Sequence, residues 1–193
     1  MGYLYRFNSA VQELKEQIKK VGDIHYISAR YIHSDKPPRT DSGAVFNLSI
    51  HLIDILNFVL EKTPEKVFCK KINYLSKERE DCAVIVLDYG NFMAELEVSW
   101  FHPLKKRDMW VIGSKKKVYA DFLEQVVQEY TGFSSFRNIE IRKNEPLKEE
   151  LRYFCSAAEG KENGKNEGAE EINILKVCEA CLKSAEKGEE VKI

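Results

Sequence analysis

Three polar side chains, Asn47, His51 and Asp54, interrupt an otherwise apolar stretch, DSGAVFNLSIHLIDILNFVL, from Asp41 to Leu60. Their spacing of i, i+4 and i+7 sets them in one stripe along a helix. An imidazole titrates near neutral pH, so His51 is a candidate general base or acid. A polar stripe in so apolar a rod must be satisfied by protein partners or by a ligand. The other reading is a hydrogen-bonded structural histidine, and spacing alone leaves both open. His51 and Asp54 also make two metal ligands, one or two short of a site.

The helix that must carry these groups is apolar on most sides. Val45, Leu48, Leu52, Ile55, Leu56 and Val59 recur at helical spacing. Phe46, Ile50, Ile53, Phe58 and Leu60 fill much of the remaining surface. Asp41 or Ser42 is expected to cap its start, with Gly43 allowing a tight approach, and Thr63-Pro64 to end it. Upstream, Tyr3–Phe7 reads as extended. A helix capped by Asn8 or Ser9 runs to about Val21 and stops at Gly22. Ile24–His33 reads as a strand, and the loop Ser34–Thr40 carries Lys36 and Arg39.

Beyond Pro64 the texture turns to strands: Lys66–Tyr74, Cys82–Tyr89, Phe92–Trp100, Arg107–Gly113 and Lys117–Phe122, with weaker candidates at Gln125–Tyr130 and Arg137–Arg142. In Phe92–Trp100, Ala94, Leu96 and Val98 point one way, and Met93, Glu95 and Glu97 the other. The apolar face is expected against helices, and the mixed face against solvent or a partner. Helices follow at Leu147–Ala158 and Ala169–Lys187, around a polar loop at Gly160–Gly168, and Val191–Ile193 reads as a short edge strand. Runs of strands between helices, without βα alternation, predict an α+β fold: an open, mostly antiparallel sheet covered on one face by helices. Residues 1–193 read as a single domain.

With 30 basic and 31 acidic residues among 193, the net charge of −1 gives no case for nucleic acid or an anionic membrane. No apolar run spans a bilayer and no signal peptide is visible, so the expected location is cytoplasmic. Five cysteines, an odd number at irregular spacing, argue against a disulfide framework. Cys178 and Cys181 read as small buried side chains of a helix. No G-x-G-x-x-G or G-x-x-x-x-G-K-[ST] occurs, and Gly113–Lys117 reads as a solvated basic turn. No metal site and no cofactor-binding residue is assigned.

Taken together these stretches resemble the C-terminal domain of the Gfo/Idh/MocA oxidoreductases, the glucose–fructose oxidoreductase and inositol dehydrogenase family. GYLYRFNSAVQELKEQI resembles the hand-over from that family's dinucleotide domain, and the Asp41–Leu60 stretch its central helix. SWFHPLKKRDMWVIGSKKKVYADF resembles a strand pair with a Trp and a G-[ST]-x-G turn. LRYFCSAAEG and VCEACLKSAEKGEEVKI resemble the last two helices.

The resemblance implies the substrate-binding and dimerisation domain of an NAD(P)-dependent enzyme acting on a sugar, polyol or nucleotide-sugar hydroxyl. His51 matches the catalytic acid/base, and Asp54 the acid behind it, in a supporting role. Asn47, Tyr5, Arg6, Arg39, Trp100 and His102 are the expected substrate contacts. Asn47 stands where many members carry Asp, which removes a carboxylate that would raise the histidine's pKa. The family's N-terminal Rossmann domain is not in this sequence and is expected in cis or in trans. NAD or NADP belongs to the full-length enzyme, and the chain alone is expected to bind neither and to turn nothing over. A homodimer or tetramer through the sheet is the expected assembly. The competing expectation is a non-catalytic scaffold or oligomerisation domain of the same fold.

Overall fold

The structure is a computed structural model that describes residues 2–34, 41–132, 135–161 and 168–193, with backbone only at 168 and 169. Arg39 and most of the 160–168 loop lie outside these residues. Residues Leu4–Phe7 form a 3-10 turn, where extended backbone was expected. Local bonds close it: Arg6 N–H donates to Tyr3 O at 3.0 Å, and Asn8 N–H to Tyr5 O at 3.0 Å. Asn8 then caps α1 (Ser9–Ile18), its Oδ1 accepting from Ala10 and Val11 N–H at 2.9 and 3.3 Å. The same side chain donates to Phe122 O at 2.9 Å, tying the helix start to the sheet.

After β1 (Ile24–Ile32) comes a π-helical turn, Val45–Ser49, that runs straight into α2 (Ile50–Leu60). Neither Asp41 nor Ser42 caps it. The cap comes from Glu80: Val45 N–H donates to its carboxylate at 3.1 Å and Ala44 N–H to its backbone carbonyl at 2.8 Å. A carboxylate is favoured there by the orphan N–H groups and the helix dipole. The Glu80 carboxyl occupies the space that a Cβ on Gly43 would need. Gly43 therefore admits an acid from a distant loop. Helix α2 ends at Glu61, which is left-handed at φ 52°.

The remaining elements are β2 (Lys66–Ile72), β3 (Cys82–Asp88), β4 (Met93–Ser99), β5 (Lys106–Gly113), β6 (Lys117–Asp121), β7 (Val126–Thr131), β8 (Ser135–Ile139), α3 (Pro146–Ala158), α4 (Gly168–Lys187) and β9 (Val191–Lys192). Nine strands form one sheet in the order β8-β7-β6-β5-β1-β4-β3-β2-β9. Every pairing is antiparallel except β1 with β4. The fold is thus the expected α+β arrangement. The parallel pair needs a crossover, and the segment holding α2 provides the first leg of it.

Alternate residues of the central strands meet the helices. Ile27, Ala29 and Tyr31 of β1, Leu96 and Val98 of β4, and Met109 and Val111 of β5 share one core with Leu52, Ile55 and Leu56 of α2 and Ile174, Val177 and Cys181 of α4. Burying each large aliphatic side chain contributes about 1.5–3 kcal/mol. All five cysteines are free, and burial pushes the Cys178 thiol up to about 12. The opposite face of the sheet carries an aromatic ladder: Trp110 lies 4.8 Å from Tyr119 and 5.1 Å from Tyr130, and Tyr130 lies 5.2 Å from Phe136, centroid to centroid. Among the described residues, no helix is long and apolar enough to cross a membrane.

Candidate functional site

The site forms where the end of β1, the start of β5, the 3-10 turn and α2 meet. The antiparallel register pairs Tyr31 of β1 directly with Arg107 of β5. Both side chains point to the helix-covered face, where α2 brings His51. The imidazole lies between two phenol rings, with centroids 5.6 Å from Tyr5 and 5.6 Å from Tyr31. Tyr5 and Tyr31 in turn meet edge to face at 6.3 Å.

Arg107 closes this cluster. Its guanidinium carbon sits 4.3 Å from the Tyr31 ring centroid, and its Nη1 donates to the Tyr5 hydroxyl at 2.8 Å. Its Nε is buried with no partner. Burial, and then the Arg107 charge, push the His51 pKa down from 6.5 to about 4. The imidazole is therefore neutral at physiological pH and a weaker base than a free one.

Asp54 sits one helical turn further on, 1% exposed, and is held by Arg6. Arg6 Nε donates to Asp54 Oδ1 at 2.8 Å, and Nη2 lies 2.7 Å from the same oxygen. Burial raises the Asp54 carboxyl to about 6 against the pull of Arg6. Arg6 Nη1 also donates to Glu170 at 3.0 Å. Arg6 and Asp54 thus satisfy each other across 48 residues. The pair fastens the 3-10 turn to α2, and so sets Tyr5 beside His51.

The other predicted positions are scattered. Asn47 is half-buried in the π-helical turn, its N–H bonded to Gly43 O at 3.0 Å. Asn47 lies within the π-helical turn and His51 in the first turn of α2. Among the described residues, no side-chain hydrogen bond joins His51 to Asn47 or Asp54. Trp100 is 3% exposed in the core, its N–H bonded to Asp81 O at 3.0 Å. His102 lies in the loop after β4, its Nδ1 accepting from Leu104 N–H at 3.0 Å. Neither contacts the His51 ring. The structure thus brings Tyr5 to His51 and Arg6 to Asp54.

Tyr31 and Arg107 carry no role in the sequence reading. Each stood in a predicted strand, but which strand lies beside which cannot be read from either alone. The buried His33, with its ring 6.1 Å from Tyr31, extends the same cluster. A cleft of about 800 Å³ opens elsewhere, lined by Arg6, Lys15, Asn57, Phe58 and Tyr153 but not by His51 or Arg107. The perturbed base is at the His51 cluster, which makes that cluster the candidate site.

Three glycines, Gly43, Gly113 and Gly22, leave a dinucleotide no room. The space over each is already filled from within the protein: Gly43 by Glu80, Gly113 by the Val21 backbone, and Gly22 by Ser114 and Lys115. Among the described residues, no three His, Cys, Asp or Glu side chains converge to hold a metal.

Residues 11–119 match the family model described as the GFO/IDH/MocA C-terminal domain. No curated protein matches the chain. Solved structures of similar fold include an aldose–aldose oxidoreductase from Caulobacter crescentus complexed with glycerol, at TM-score 0.87 and 16% identity, covering 100% of this chain and 63% of that one. A UDP-N-acetylglucosamine 3-dehydrogenase from Acidithiobacillus ferrooxidans aligns at TM-score 0.84 and 20% identity over 96% of this chain and 61% of its own. An oxidoreductase from Agrobacterium radiobacter, in complex with NAD+, L-tartaric acid and magnesium, aligns at 0.80 and 17% identity over 99% and 64%. The chain spans under two thirds of the length of each.

Proposed function

The chain belongs to the Gfo/Idh/MocA oxidoreductase family, through its C-terminal domain, and we propose that it is the substrate-binding and self-association half of an NAD(P)-dependent dehydrogenase. Its substrate is the hydroxyl of a sugar, polyol or nucleotide sugar. The observation that carries this reading is a neutral imidazole, His51, set between Tyr5 and Tyr31 on a buried helix. The sugar-acting enzymes among the structural neighbours support the substrate class.

In this reading His51 accepts the proton of the substrate hydroxyl as the carbon–oxygen double bond forms, then releases it to solvent. A bound nicotinamide supplies the hydride acceptor. The tyrosine rings keep the imidazole oriented and keep water off it, and the Arg6–Asp54 pair holds Tyr5 in place. In this reading the cofactor is held by a dinucleotide-binding domain, in cis or in trans. Five free cysteines suit a reducing, cytoplasmic location.

The second reading is a non-catalytic scaffold that associates through the open sheet face. Tyr26, Val84, Met93 and Phe136 are 45%, 43%, 55% and 53% exposed there or at its edge. An apolar face of this kind marks an association surface, and we read it as the homodimer or tetramer contact under either hypothesis. Joining the chain to a family dinucleotide-binding domain and following NAD(P) reduction over a sugar panel separates the two. Turnover supports the dehydrogenase, and silence across the panel leaves the scaffold.

A further inference from the structure

We propose that Arg107 is a receptor for an oxyanion, a carboxylate or phosphate, carried by the molecule that binds beside His51. Its place next to the reacting hydroxyl rests on the dehydrogenase reading; the binding itself does not.

Several guanidiniums among the described residues are paired with carboxylates. Arg6 has Asp54, Arg30 has Asp108 at 2.6 and 2.9 Å, and Arg137 has Glu129 at 3.1 Å. Among the described residues Arg107 has no carboxylate partner. It gives one N–H to a neutral phenol, and its Nε is buried with no hydrogen-bond partner. A buried charged donor left unsatisfied is costly, and folds tolerate few of them. The arrangement makes sense if a ligand completes it.

The geometry suits that ligand. Stacking on Tyr31 and the bond to Tyr5 hold the guanidinium plane, so its fork is set before anything binds. A fixed fork takes a carboxylate or phosphate through two parallel hydrogen bonds. Both residues that hold Arg107 also touch His51. An oxyanion on Arg107 therefore lies in the same cluster as the imidazole.

One consequence reaches the chemistry. The Arg107 charge is one of the two causes that weaken His51 as a base, the other being burial. A bound anion offsets that charge and strengthens the base at the moment substrate arrives. A neutral sugar leaves it weak.

The test uses the full chain, labelled with ¹⁵N, and three probes: D-glucuronate, α-D-glucose 1-phosphate and D-glucose. The expected result is a shift of the Arg107 Nε–H resonance with one anion, and affinity at least about tenfold above that for D-glucose. The anion that shifts it tells carboxylate from phosphate. Arg107→Gln should remove the difference, and Arg107→Lys should keep part of it as a point charge. Because the resonance is read in the unsubstituted chain, the test survives a variant that fails to fold. Equal binding of all three probes, or an unmoved Nε–H with both anions, overturns the proposal. Anion binding of this kind alongside a joined enzyme that stays silent on every sugar supports the receptor while the dehydrogenase reading fails.

Discussion

Arg107 lies across the face of Tyr31, its direct cross-strand partner, with 4.3 Å between guanidinium carbon and ring centroid. The pair puts a fixed positive charge beside the one histidine that α2 offers. Removing the charge should let the imidazole bind a proton more easily. In Arg107→Gln the His51 pKa is expected to rise from about 4 while staying below 6.5, because burial remains the larger cause. Imidazole ¹⁵N shifts followed against pH measure it, and an unchanged pKa would contradict the coupling.

The same depressed pKa makes stability depend on pH. His51 binds its proton near 6.5 when unfolded and near 4 when folded, so between those values the unfolded state holds more protons. Stability is lost as pH falls through that window. Asp54 acts in the opposite sense, since its raised folded value of about 6 adds stability as pH falls from there toward 3.8. Comparing the wild type with His51→Gln isolates the histidine. Between pH 7 and pH 5 the gap between their urea unfolding free energies should move by about 2 kcal/mol against the wild type. A gap independent of pH would show that His51 is not buried neutral.

Asp54 is 1% exposed and answers a guanidinium whose side chain is 12% exposed. Asp54→Ala leaves Arg6 only the exposed Glu170. Breaking one side of a buried pair costs about 3–5 kcal/mol. Urea unfolding should show a loss of that size at unchanged m-value, and a loss below 1 kcal/mol would mean that the pair is not what fastens the 3-10 turn to α2.

Met93 and Phe136 are exposed, at 55% and 53%, so charging them leaves the core untouched. The double variant Met93→Glu, Phe136→Glu should shift the chain toward monomer in sedimentation velocity runs. The same sedimentation coefficients for variant and parent would remove the sheet as the contact.

Much of the frame was legible from local pattern. Alternation located β4, apolar and β-branched texture β3 and β5, and helical spacing α2, because each signal is contained within its own segment. What escaped depends on distant residues. The cap on α2 comes from Glu80, 35 positions beyond Val45, so a search among neighbours settles on Asp41 or Ser42. The parallel pairing of β1 with β4 leaves no mark in either strand. The π-helical turn at Val45–Ser49 leaves no mark in the local pattern either. Arg107 entered the sequence reading only as the start of a strand, and only the register against β1 stands it over Tyr31.

The central claim is proton transfer by His51, and the most direct measurement is kcat of His51→Ala in the chain joined to a dinucleotide-binding domain. General acid–base catalysis contributes about 10²–10⁴ in rate, so kcat should fall by that factor, with substrate affinity changing far less. A kcat within about threefold of the parent, far short of that range, would contradict the account.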